Sequence, residues 1–373
     1  MTGLVQWVRD EVTYSQGYMQ GRYVALPSSF SDLYGATVSK LTSLVSIPLP
    51  LLSMLALPIF GGSSTTISLG VFWLTWFGLV SSHSHLTIEL YGTLAIRAFL
   101  FLLPALGFLA FDCVLPKLSR RMKARGREHL PLRLGRDKVL RIAGIAVGNV
   151  LLSVLLQTFL EILFSRVLHL RSLIKVSSTI PLPWSILRDI LGGFVVRGVA
   201  HYVVHRYYLH TYDTVLKTWH ITWQHSIEFP FSVVAAYDHP VNYLLAVWMP
   251  TILPAYLFRW HVLTWHLFTA ITSLEDLFLY SGYAVLPSTI ILAGMARRIE
   301  AHFESVQAGK DVGNFGRLGL LDLLVGSTCK DEDDVLDDIN EETEKHNVKE
   351  RAQGAVNSAM DGIERKQKAR RRK

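Results

Sequence analysis

The chain has 373 residues, half of them hydrophobic and only 18% charged, with a formal net charge of +7. Its two cysteines, Cys113 and Cys329, exclude a disulfide scaffold and a thiolate metal site. The basic surplus does not point to nucleic acid, because the lysines and arginines flank apolar runs and fit loops that face anionic lipid.

Residues 1–40 lack the basic-then-apolar order of a cleaved signal and read as a cytosolic or interfacial segment. A membrane-crossing helix needs ~20 mostly apolar residues, since its backbone groups must be satisfied internally. Leu41–Phe60 has that length, with Pro48, Pro50 and Pro58 as kinks. Ser68–Ser82 is shorter and reads as a tilted, interfacial or hairpin segment. Leu90–Leu115 and Val139–Phe164 are strong spans. The loop between them, residues 116–142, is rich in lysine and arginine, and the positive-inside rule places it in the cytosol. Ile186–Val204 is a weaker span that carries Arg188, Asp189 and Arg197. Tyr243–Leu274 contains Pro250 and Pro254 and reads as a hairpin that enters and returns, while Leu277–Ala293 spans or packs on the body. Residues 329–373 open acidic and end basic without apolar periodicity, so a solvated, disordered tail is expected. The predicted fold is all-α. Residues 41–200 supply the transmembrane helices of a polytopic bundle, and residues 201–328 form a cytosolic helical cap.

Five of the fourteen histidines fall between His201 and His225. His205 and His210 lie five apart, His220 and His225 repeat that spacing, His239 precedes Pro240, and His302 follows downstream. Several imidazoles are needed to hold iron, copper or zinc without thiolates. Five residues along an α-helix turn by about 140°. Such a pair reaches one site if the helix ends between its members, or else it addresses neighbouring metals. A lone histidine near a membrane surface is more often a hydrogen-bonded interfacial residue, and His83, His85, His129, His169, His261, His266 and His346 are read that way. The cluster is the signal, not any one pair.

The order of these motifs resembles the fatty acid hydroxylase and sterol desaturase superfamily of membrane non-haem di-iron oxidases. That family shows HxxxH or HxxxxH, then HxxHH, a His-Pro, a Ser-Gly-Tyr, HDxHH, Gly-Asn-Tyr-Gly and Gly-Thr. His205 and His210 match the first box, and His220 and His225 look like the ends of the second. His239, then Ser281-Gly282-Tyr283, then Gly313-Asn314-Phe315-Gly316, then Asp322, Gly326 and Thr328 follow in order. There are departures. The second box is stretched by one residue, with Gln224 where a histidine is expected. Tyr280 precedes Ser281 where the family has a histidine. The HDxHH box is reduced to Glu300-Ala301-His302.

The resemblance implies His205, His210, His220, His225, His239 and His302 as metal ligands. It further implies non-haem iron, as a di-iron pair in the family, and molecular oxygen. Electrons would come from NAD(P)H through a separate cytochrome b5 or reductase, since no His-Pro-Gly-Gly segment marks a fused cytochrome. The implied product is a hydroxylated or desaturated fatty acyl chain or sterol, made by a multi-pass protein of the endoplasmic reticulum membrane in lipid biosynthesis. The alternative is a non-catalytic lipid-binding or scaffold member. A zinc hydrolase is disfavoured because no HExxH occurs. Glu300 and Glu304 are the nearest oxygen ligands to replace the lost histidines, which predicts an irregular or extended backbone there. Asp213, Asp238 and Glu275 are candidates to hold imidazole tautomers.

Overall fold

The computed structural model describes residues 64–123, 126–127, 129–283, 293–317 and 319–329. The expected span at Leu41–Phe60, the N-terminal segment and the tail from Lys330 lie outside the described residues. Among those described the chain is all-α, with no sheet. Helix α1 (Ser64–Ser82) turns into α2 (His85–Val114), whose first turn is capped by the Ser84 hydroxyl accepting from Thr87 N–H. The short α3 (Pro116–Met122) opens the basic segment, and α4 (Arg136–Val167) leaves it. Helix α5 (Pro183–Val203) continues without a break into a π-helix, Val204–Thr211, and α6 (Val215–Trp223) follows. Next come α7 (Met249–Leu257) and α8 (Val262–Tyr280), joined by a break at residues 258–261, so the proline-bearing stretch is two helices rather than one span. Helices α9 (Ala293–Ala308) and α10 (Leu320–Val325) complete the described chain.

Helices α2 and α4 are long and apolar enough to cross a membrane. Their polarity is inverted relative to a water-soluble helix. Helix α4 buries Asn149, Ser153, Gln157 and Glu161, each one turn from the last, and exposes Leu151, Leu155 and Phe159. Polar groups at that depth need partners inside the bundle. Gln157 donates to Glu89 on α2 at 2.8 Å, and Asn149 donates to the carbonyls of Ala236 and Asp238 at 3.0 and 2.9 Å. The second contact ties a membrane-length helix to the turn that carries Asp238.

Close helix contact depends on small residues. A Cβ on Gly92 of α2 would lie 2.2 Å from His266 Cε1 on α8. Gly92→Ala is therefore expected to cost about 1–3 kcal/mol through overpacking. Gly148→Ala on α4, where no atom lies within 4 Å of the added carbon, should cost nothing. Thermal unfolding of both variants in detergent checks this, and equal midpoints would contradict the packing described.

A buried ionic network joins the helices to the closing loop. Asp276 on α8 pairs with Arg97 of α2 at 3.4 Å, with Arg197 of α5 at 3.7 Å and with Arg317 of the loop before α10. Glu275 pairs with Arg197 at 2.7 Å and with Arg317 at 3.6 Å.

The basic segment packs on the histidine-bearing elements. Lys138 Nζ donates to Ser226 O at 2.9 Å, His129 meets Glu300 at 3.4 Å, and Lys123, paired with Asp112 at 2.7 Å, donates to Ser281 O at 3.1 Å. The basic segment and the histidines thus lie at one end of the bundle.

Candidate metal centre

His205 and His210 share one continuous helix, and its winding brings them together. In the π-helix Val204–Thr211 each turn takes more residues, so five residues come nearer to a full turn than in an α-helix. Their Nε2 atoms stand 3.2 Å apart. His220 and His225 solve the same spacing differently. Helix α6 ends at Trp223 and tightens into a 3-10 turn, Gln224–Ser226, which swings His225 back toward His220. His302 enters from α9.

One ligand nitrogen from each of His205, His210, His220, His225 and His302 can be chosen so that all five lie within 4.8 Å of one another. His220, His225 and His302 are buried and the other two half-buried. Three of the rings are held from outside. The His205 Nδ1–H donates to Phe315 O at 2.8 Å, that of His302 to Gly313 O at 2.7 Å, and that of His220 to Asp238 Oδ2 at 2.6 Å. A carbonyl only accepts, so each such bond puts the proton on Nδ1 and leaves the Nε2 lone pair facing the centre. Burial lowers the pKa of His205, His210 and His225 well below the usual value, and the neighbouring imidazoles add to this. Burial also brings His302 down to about 4, against the hydrogen bond to Gly313. At neutral pH these four are uncharged and can ligate.

The buried Nε2 atoms of His220, His225 and His302 have no hydrogen-bond partner. Converging lone pairs without donors are costly in a buried site, and a cation at their centre satisfies them together. The donor set, imidazole throughout, suits a first-row transition metal. The residues fit a metal ion.

The carbonyls that fix His205 and His302 sit on a loop held by Asp322. That carboxylate accepts from Phe315 N–H at 2.9 Å, Gly316 N–H at 2.8 Å and Ser327 Oγ at 2.9 Å. A side chain at Gly316 would put its Cβ 2.8 Å from Asp322 Oδ2, so only glycine lets the carboxylate approach so closely.

Three expectations are corrected. His239 is not in the cluster: it caps the helix begun by Pro240, taking the Val241 N–H on Nδ1, and its ring stacks on Trp219 at 3.9 Å between centroids. The backbone around Glu300–Glu304 is regular α-helix, not extended. On that helix His302 faces the cluster, while Glu300 turns toward His129 and toward Arg297, at 2.9 Å. Among the proposed tautomer holders, Asp238 reaches a candidate ligand, Glu275 belongs to the arginine network and Asp213 is exposed. His261 and His266 stand apart from the cluster, His261 capping α8 and His266 against Gly92. The roles of the Gly313 and Phe315 carbonyls went unread, because a backbone acceptor leaves no side-chain signature. Asp322 amid glycines was the available hint.

A cavity opens beside the cluster, walled by His201, Gln224, Val247, Tyr280, Ile299 and Phe303, among others. Residues 190–327 match the sequence model of the Fatty acid hydroxylase family. No solved structure matches the chain.

Proposed function

We propose that this chain, whose residues 190–327 match the sequence model of the fatty acid hydroxylase family, is an iron-dependent oxidoreductase that uses molecular oxygen to hydroxylate or desaturate a membrane lipid. The observation that carries the reading is the convergence of five imidazoles, three of them locked with Nε2 inward, at one end of a bundle with membrane-length helices. Iron supplies the oxygen chemistry that side chains alone cannot perform on an unactivated C–H bond. His205, His210, His220, His225 and His302 hold it. Asp238 and the Gly313 and Phe315 carbonyls keep His220, His302 and His205 in the ligating tautomer. Val247, Ile299 and Phe303 offer an apolar wall against which a fatty acyl chain or sterol rests beside the metal, screened from water. A substrate that stays in the bilayer reaches this cavity from the helices below it.

Electrons come from NAD(P)H through a separate cytochrome b5 or reductase docked on the cytosolic end, where the basic segment lies. The endoplasmic reticulum membrane is the compartment that fits lipid synthesis and such a donor. The test is lipid profiling of membranes expressing the chain, with iron measured in the purified protein. Alanine at any of the five histidines is expected to abolish both the oxidised lipid and bound iron, whereas His239→Ala and His261→Ala retain iron. A folded, iron-free wild type that yields no new lipid overturns the enzyme reading and leaves the non-catalytic one.

A further inference from the structure

The family resemblance implies a pair of irons, and the described residues do not fit a pair. We infer that this centre binds a single metal ion, held by His205, His210, His220, His225 and His302 together.

The first argument is spatial. Bonds of ~2.0–2.2 Å to one ion place any two ligand nitrogens within roughly 4.4 Å of each other. Two ions ~3.5–4 Å apart spread their outermost ligands over roughly 8 Å. All five nitrogens here lie within 4.8 Å of one another, close to the first limit and far inside the second. The Nε2 atoms of His205 and His210, 3.2 Å apart, have the separation of neighbours on one ion.

The second argument is chemical. The cavity beside the cluster is the space a second ion would take, and its wall is poor in ligands. Apart from four of the clustered histidines, its wall offers the amides of Gln224 and Asn314 and the phenols of Tyr237, Tyr243 and Tyr280, among hydrocarbon side chains such as Ile299 and Phe303. Two of these, Gln224 and Tyr280, stand where the resemblance expects histidine. The carboxylates that might compensate are committed elsewhere. Glu300 pairs with Arg297, and Asp238 bonds the outer nitrogen of His220. His239 is stacked on Trp219. His201 is the one further imidazole in the wall, its Nδ1–H given to Ala246 O at 2.7 Å. One imidazole beside amides and phenols, with Asp238 engaged by His220 and the His239 N–H, does not make a site of three or more strong ligands.

This inference rests on the metal-site reading above, and its test separates the two. The full-length chain, purified anaerobically in detergent, is titrated with Fe(II) alone and, in parallel, with Co(II) alone. Metal per folded chain is measured, together with the electron paramagnetic resonance of the Co(II) form. The expected result is saturation at one ion per chain with the spectrum of isolated, uncoupled Co(II), unchanged in His201→Ala. His205→Ala and His225→Ala should each lose the whole of the bound metal, with monodispersity confirming the fold. Saturation at two ions, or a coupled Co(II) pair, or variants that each lose half, overturns the single-ion centre while the metal reading stands. A folded wild-type chain that binds no ion overturns both.

Discussion

Replacing Asp276 by alanine is expected to destabilise the chain by about 3–5 kcal/mol, the usual cost of removing one partner from a buried ionic group. Asp276 is 2% exposed and faces arginines from three different parts of the chain. Without it, Arg197 and Arg317 share Glu275 as their one remaining carboxylate in the network. Arg97 would keep only neutral partners, Ser273 Oγ at 3.2 Å and Tyr243 OH at 3.0 Å. A buried guanidinium cannot shed its proton to escape, because its pKa is too high. The control is Asp189→Ala, which breaks a pair with the largely exposed Arg188 and should cost under about 1 kcal/mol. Thermal midpoints in detergent, with membrane abundance in cells, decide the matter. Similar losses in the two variants would show that the arginine network contributes little.

Asp322→Ala is expected to weaken metal binding by roughly 10- to 100-fold, the range seen when a ligand loses its outer hydrogen-bond partner. Asp322 touches none of the five histidines. It holds the Phe315 and Gly316 N–H groups, and that loop presents the carbonyls that orient His205 and His302. Leu324→Ala on the same helix is the control, since that side chain is 80% exposed and should leave affinity unchanged. Titration of the purified variants with Co(II) gives the comparison. A folded Asp322→Ala chain with wild-type affinity would mean that the carbonyls do not set the rings.

The helices and most of the centre were legible in the sequence, for reasons that residues make plain. Leu90–Leu115 and Val139–Phe164 announce themselves by apolar length interrupted by few charges, and all but Leu115 falls within a helix. The repeated five-residue histidine spacing marked four of the clustered rings, and the downstream position marked His302. What the spacing did not reveal was how each pair closes. A π-helix follows the α-helix before it without any residue that signals the change, whereas the end of α6 at Trp223 was one of the two solutions foreseen. The Asp-His-Pro triplet was a true signal assigned to the wrong member. Pro240 starts a helix, which turns the His239 ring back onto the Val241 N–H and leaves Asp238 facing His220. At Glu300–Glu304 the search for replacement ligands overrode a sequence of good helix formers, and helical winding directs Glu300 to the basic segment instead. Pairs such as Arg97 with Asp276, 179 residues apart, leave no local trace.

The loop at Gly313–Arg317 also fixes when the centre is completed as the protein is made. Synthesis delivers α2 and α4 first, then the paired histidines, then His302, and only afterwards the carbonyls at Gly313 and Phe315 with the Asp322 clasp. A nascent chain ending at residue 308 holds all five rings but neither carbonyl. The outer acceptors of His205 and His302 are thus made after all five of the rings that converge at the centre.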